Sequence, residues 1–208
     1  MCIERKSSNR VLASVEHYYE PMTEPAALIV IDAQKGFDSP SWGPSHNPEC
    51  NSNIAALLAV WRAHEWPVVL VRHVSASSSS PLAPDQTGNE FYDTVAGEHS
   101  LLVTKTVHSA FYGTPDLHEW LTTNGLTKVV ICGITTSFCC ETTARMAGDL
   151  GYDVTFAIDA TRTFDRELLD GTVVPAATVA AMTAANLHDE FATVMNTADI
   201  LSAAKQLD

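Results

Sequence analysis

The sequence predicts an α/β protein, a three-layer doubly wound domain built on a six-stranded parallel sheet in the order 3-2-1-4-5-6. Three observations carry this expectation. Short apolar runs of buried-strand type alternate with segments of helical periodicity along the whole chain. Two of the runs end at reactive side chains, Asp32 and Lys105, and the carboxyl ends of strands are where open α/β sheets place their chemistry. The stretch Lys128 to Gly151 reads as buried strand, sharp turn and helix, with Cys139 and Cys140 in the helix's first turn.

The 208 residues suit one domain with a full core, read here as residues 25–208 behind a polar N-terminal arm over 1–24. The run AALIVID at 26–32 is the first strand, ending in Asp32, whose plainer role would be to cap a turn. Residues 33–50 form a loop rich in Pro, Ser, Gly and aromatics, a candidate pocket wall. Its WGPSHNP turn groups Trp42, His46 and Asn47. Over 51–64, Ile54, Leu57, Leu58 and Trp61 share one helical face, with Asn51 or Ser52 as cap. A second strand covers 67–71. Residues 75–99, opening on four consecutive serines, read as a flexible excursion.

Leu101 to Val103 give a short third strand with Lys105 just beyond it. Thr114-Pro115-Asp116 then reads as N-cap, N1 proline and an acid at the positive end of the next helix. Asn124-Gly125 ends that helix. Val129 to Gly133 form the fourth strand. In the following helix pattern Cys139, Thr142, Thr143, Met146, Ala147 and Leu150 recur at three and four, and Gly151 takes the C′ place. A fifth strand covers 154–158, a helix 172–189, a sixth strand 191–195 and a last helix 198–206.

Composition excludes several classes. A net charge of −13, with no Lys/Arg cluster, gives nothing to hold a phosphate backbone, so no nucleic acid is expected. No apolar run approaches the ~20 residues of a membrane span, so no membrane is expected. The first twenty residues lack the apolar core of a secretory signal. Five cysteines are odd in number and too sparse for a disulfide framework, so a cytoplasmic location is expected.

In the order 3-2-1-4-5-6 the first and fourth strands are neighbours, so Asp32 and Cys139 face each other across the crevice with Lys105 beside them. A base, an ammonium and a thiol at a helix N-terminus make a workable nucleophile set. The helix end and the lysine both favour thiolate. Taken alone, Cys139 could equally be a small buried hydrophobe.

The pieces IDAQKGF at 31–37, KTVHSAFYGTPDL at 105–117 and GITTSFCCETTARMA at 133–147 resemble, in that order, the isochorismatase-like cysteine hydrolases. That family includes nicotinamidases and N-carbamoylsarcosine amidohydrolase. The resemblance implies Cys139 as nucleophile, Asp32 as general base and Lys105 as the third member of the triad. It also implies a cis peptide between Ile134 and Thr135, with the Thr135 and Cys139 N–H groups as oxyanion hole. The implied reaction is attack of Cys139 on a carbonyl, departure of an amine protonated by Asp32, and hydrolysis of the thioester by water that Asp32 deprotonates. Nicotinamidases carry an Asp-x-His pair that binds a metal. This chain reads Val71-Arg72-His73-Val74-Ser75 there, and its histidines show no metal-type spacing, so neither metal nor cofactor is expected.

Candidate contacts for a small-molecule substrate are Phe37, Trp42, His73, Glu90, Phe111, Tyr112 and Phe138, although each aromatic could equally be core. Asp159, at the end of the fifth strand, reads as structural, and Arg145 as a paired side chain. The resemblance also implies a homo-oligomer, dimer or tetramer. Cys139 favours cleavage of an amide, ureide or lactam C–N bond. Vinyl-ether hydrolysis of the isochorismatase type is the alternative, and a redox or binding protein using Cys139–Cys140 is a third reading.

Overall fold

The computed structural model describes residues 26–205, so the arm read over 1–24 lies outside the described residues. Six strands form one parallel sheet: β1 (Ala27–Ile31), β2 (Val68–His73), β3 (Leu101–Lys105), β4 (Lys128–Ile134), β5 (Asp153–Arg162) and, after a small hairpin of β6 (Arg166–Glu167) and β7 (Val173–Val174), β8 (Thr193–Met195). Their spatial order is β3-β2-β1-β4-β5-β8, the expected doubly wound sheet. Every residue of β1 is buried, because both faces of a doubly wound sheet are covered. Alternate residues feed two cores: Leu28, Val30, Leu70 and Val130 face one, Ile29, Ile31, Val69 and Ile131 the other.

Helices α1 (Cys50–Ala63), α2 (Leu117–Thr123), α3 (Glu141–Asp149), α4 (Ala176–Leu187) and α5 (Thr197–Ala204) cover the sheet. The first core holds Ile54, Leu57, Leu58 and Trp61 of α1 with Ile200 of α5. The second holds Leu117 and Leu121 of α2, Ala144 and Ala147 of α3, and Leu187 of α4. Trp61 is fully buried and satisfies its indole N–H on the Ala26 carbonyl at 2.7 Å.

Several local expectations need correction. Thr114 does not cap α2. Its backbone N–H and C=O pair with Thr104 at 2.8 and 2.9 Å, tying it to β3 beside a cis Thr114–Pro115 bond. The cap is Asp116, whose Oδ1 accepts from the Glu119 N–H at 2.9 Å. Neither Asn51 nor Ser52 caps α1. The helix starts at Cys50, and the Ser52 hydroxyl donates back to the Glu49 carbonyl. The helix read over 172–189 starts only at Ala176, whose N–H is taken by Asp165 Oδ1 at 2.7 Å. The preceding residues form the β6–β7 hairpin, which short strands and an Asp170-Gly171 turn hid from periodicity. The excursion over 75–99 carries its own anchors: Leu82, Phe91, Tyr92 and Val95 join the first core.

Candidate active site

Asp32 follows directly on β1 in a positive-φ conformation (48°) that few non-glycine residues adopt. Its N–H donates to the Val71 carbonyl at 2.9 Å, so strand pairing holds the bend. The side chain is fully buried, and Lys105 Nζ donates to its Oδ2 at 2.6 Å. Lys105 closes β3 opposite His73 of β2, and its ammonium also lies 3.4 Å from His73 Nδ1. Asp32 Oδ1 has no hydrogen-bond partner. A carboxylate oxygen of Asp32, a ring nitrogen of His73 and Cys139 Sγ all lie within 4.8 Å of one another.

Cys139 arrives from β4 through a tight junction. Gly133 has φ 127°, and a Cβ there would lie 2.0 Å from the Ile31 carbonyl oxygen, so only glycine lets β4 approach β1 this closely. The Ile134–Thr135 peptide is cis, as the resemblance implied. Thr136–Cys140 then form one wide turn, with the Cys140 N–H donating to the Thr135 carbonyl at 3.1 Å, before α3 begins at Glu141. Cys139 thus lies in a wide π-helical first turn that runs directly into α3. The Thr143 hydroxyl locks it by donating to the Cys139 carbonyl at 2.7 Å, and the Thr136 hydroxyl donates to Thr161 on β5 at 2.9 Å.

The electrostatics correct one expectation. Burial, reinforced by the Asp32 carboxylate, pushes the Cys139 thiol up to about 12, although Lys105 pulls the other way. Loss of solvent thus outweighs the lysine invoked from sequence and favours the thiol form. Burial also raises the Asp32 carboxyl above its usual range, against the pull of Lys105. For Lys105 burial disfavours the ammonium, but Asp32 and the thiol outweigh it and hold the amine above its usual value. Burial, then the nearby Lys105 and His108, lowers His73 to about 4, so it stays neutral near pH 7.

The proposed contact residues divide. His73 lies in the cluster, and Phe138 stands beside Cys139, 41% exposed. Phe37 is buried core, tilted against Trp42 at 5.0 Å and stacked on Phe164 at 6.2 Å. Trp42 packs on the same pair and donates its indole N–H to the Gly36 carbonyl. Asn47 spends its amide on the Asp159 and Thr161 carbonyls, both at 2.7 Å, fastening its loop to β5. Phe111 is buried in the second core against Tyr152. Tyr112 is 72% exposed. Glu90 pairs with Lys35 at 3.0 Å beside a cavity of about 530 Å³ that Arg72 and Thr104 also line. Asp159 is structural, capping α5 through the Thr197 N–H and hydroxyl at 2.7 Å.

Histidine spacing gave no hint that Asp32, His73 and Cys139 would group as a carboxylate, imidazole and thiol of metal-ligand type. The group does not fit an ion, because the Lys105 ammonium already sits against both Asp32 and His73. Sequence reasoning assigned no role to three residues. Gln34 accepts from the His73 N–H at 2.8 Å and donates to the His73 and Asn89 carbonyls at 3.0 Å, holding the end of β2 in place. His108 Nδ1 lies 3.6 Å from Cys139 Sγ. The Arg166 guanidinium lies over the Phe138 ring at 4.1 Å, with Nε and Nη2 buried and unpartnered. His108 could have been found as the third residue after Lys105. Nothing in the sequence marked Arg166.

A family model described as "Isochorismatase domain" matches residues 26–199. A solved structure of a hydrolase of the isochorismatase family from Chromobacterium violaceum superposes with a TM-score of 0.85 at 37% identity, over 90% of this chain and 99% of that one. The isochorismatase family protein YrdC of Bacillus subtilis is 39% identical over 87% of this chain and 97% of its own length. Nicotinamidase 3 of Arabidopsis thaliana is 32% identical over 74% of this chain and 82% of its own. A match over nearly the whole described domain, on a sheet of the same kind, shows that this chain belongs to the isochorismatase family of hydrolases.

Proposed function

We propose that the chain hydrolyses a small non-peptide amide, ureide or lactam C–N bond through a thioester on Cys139, with Asp32 and Lys105 completing the triad. The observation that carries this reading is the fully buried Asp32–Lys105 pair, with Asp32 Oδ1 left unpartnered beside a thiol held near 12. A thiol held that high needs a base in contact to become a nucleophile. Asp32 takes the thiol proton as sulfur attacks the carbonyl carbon. Lys105 then faces the new charge, so the site's net charge does not change. The Thr135 and Cys139 N–H groups receive the oxyanion, a role worth about 10²–10³ in rate per donor in comparable sites. Asp32 returns the proton to the departing nitrogen, and the thioester is hydrolysed to the acid. The nicotinamidase relative supports an amide as the bond cleaved.

We read the enzyme as cytoplasmic and homo-oligomeric. The outer face of α4, Ala177, Ala181, Met182 and Ala185, is exposed and uncharged, as a subunit contact would be. Sedimentation tests that assembly. The test of function is ammonia release from a panel of small amides, ureides and lactams, wild type beside Cys139→Ala, with and without chelator. Release that vanishes in the variant and ignores chelator is expected. Release that persists without Cys139 rejects the thioester.

A further inference from the structure

The Lys105 side chain is fully buried, and a buried ammonium needs an acceptor for each of its three N–H groups. Asp32 Oδ2 takes one at 2.6 Å. Burial opposes the charge, and Asp32 and the Cys139 sulfur outweigh it. The remaining side is closed by His73, whose Nδ1 lies 3.4 Å from Lys105 Nζ. An ammonium donates and never accepts, so Nδ1 carries no proton there. The ring proton then rides on Nε2, where the Val107 backbone accepts it. His73 thus grips the end of β3 at two points, Lys105 and Val107. Its own backbone is fixed in turn. Gln34 accepts its N–H at 2.8 Å and donates to its carbonyl at 3.0 Å, and Asn89 Nδ2 donates to the same carbonyl at 2.9 Å. In the sheet His73 stands directly opposite Lys105.

We propose that His73 is a positioning residue, whose neutral imidazole is the third acceptor that keeps the Lys105 amine charged and aimed at Cys139 Sγ. This rests on the triad of the reaction proposed above. When Asp32 takes the thiol proton, the carboxylate that held Lys105 becomes neutral, and the ammonium has to stay beside the sulfur without it. A neutral imidazole is an acceptor whose charge does not change through that step. Burial, then Lys105 and His108, hold His73 at about 4, so it stays uncharged near pH 7 and does not repel the ammonium. The groups that face Lys105 are Asp32 from the end of β1, His73 from β2 and Cys139 from the turn before α3, with His108 acting on Asp32 and His73. Both ring nitrogens of His73 are engaged in this arrangement, so His73 supports the lysine and does not contact substrate.

The test reads Cys139 directly, as the rate at which iodoacetamide alkylates it at pH 9, followed by mass spectrometry of the modified peptide. His73→Asn places an amide oxygen about where Nδ1 stands. His73→Leu and His73→Ala remove the acceptor, with and without keeping bulk. Alkylation should be about tenfold slower in the Leu and Ala variants and within about threefold of wild type in His73→Asn. With p-nitrophenyl acetate as substrate, the same two variants should lose about tenfold in kcat with KM within about twofold. Alkylation within twofold of wild type in both of them overturns the proposal. So does His73→Asn falling as far as they do, because a role in packing alone would not be rescued by an acceptor. A raised KM at unchanged kcat makes His73 a substrate contact and overturns it as well. Turnover that persists in Cys139→Ala rejects the thioester itself, a separate result, since the alkylation rates need no turnover.

Discussion

Removing one end of the Asp32–Lys105 pair should unfold this domain more readily than removing both. At 2.6 Å, with an effective dielectric of about 20, the two charges attract by about 6 kcal/mol, an attraction that offsets the cost of taking both out of water. Both side chains have zero exposure, so neither can recover water if its partner goes. Lys105→Met keeps the volume and strands the Asp32 carboxylate. The expected loss is about 3–5 kcal/mol near pH 7. Asp32→Asn combined with Lys105→Met removes both charges and should recover most of that loss. The pH dependence follows from linkage. Burial already raises Asp32, and loss of Lys105 removes the group that opposes the rise. A carboxyl raised on folding binds its proton more tightly in the native state. Its stabilising contribution is therefore complete below the unfolded value of 3.8 and is lost as pH climbs through the folded value. The stability gap between Lys105→Met and wild type should thus narrow on acidification. Urea unfolding of wild type, single and double variants at several pH values measures all of this. A single variant as stable as wild type at pH 7, or a double variant no better than the single, refutes the reasoning.

The other expectations are simpler to read. With the Cys139 thiol near 12, iodoacetamide should alkylate it slowly at pH 7, where its thiolate fraction is about 10⁻⁵, and about ten times faster per pH unit up to pH 10. A plateau below pH 8 would mean a resting thiolate. Gly133→Ala forces a Cβ to 2.0 Å from the Ile31 carbonyl oxygen at a positive φ, and should cost about 2–4 kcal/mol, or about 5–15 °C in Tm by calorimetry. An unchanged Tm contradicts the close approach. The two unpartnered guanidinium nitrogens of Arg166 should attract an anionic group on a substrate, so Arg166→Gln should raise KM about tenfold for carboxylate-bearing amides and leave neutral ones unaffected. Equal effects on both would assign Arg166 to packing against Phe138.

What the chain disclosed in advance, and what it withheld, follows from the range of the forces involved. β1 was legible because ALIVI is buried on both faces and needs no partner pattern to identify it. The convergence of Asp32, Lys105 and Cys139 was legible because each stands at the carboxyl end of a strand whose order the βα alternation fixes. Properties set across the sheet were not. Whether Phe37 lines a pocket or fills a core depends on Phe164, 127 residues away in sequence, and the same holds for Asn47 and the β5 carbonyls. The thiol is the sharpest case. From sequence, a cysteine at a helix start beside a lysine should be acidic. In the fold, the loss of solvent, then the aspartate that flanks it, reverse the sign. That reversal is itself informative about mechanism. A resting thiolate could attack unaided, and Asp32 would then have no proton to take. On the thioester reading proposed above, a resting thiol gives the buried carboxylate a proton to take in every turnover.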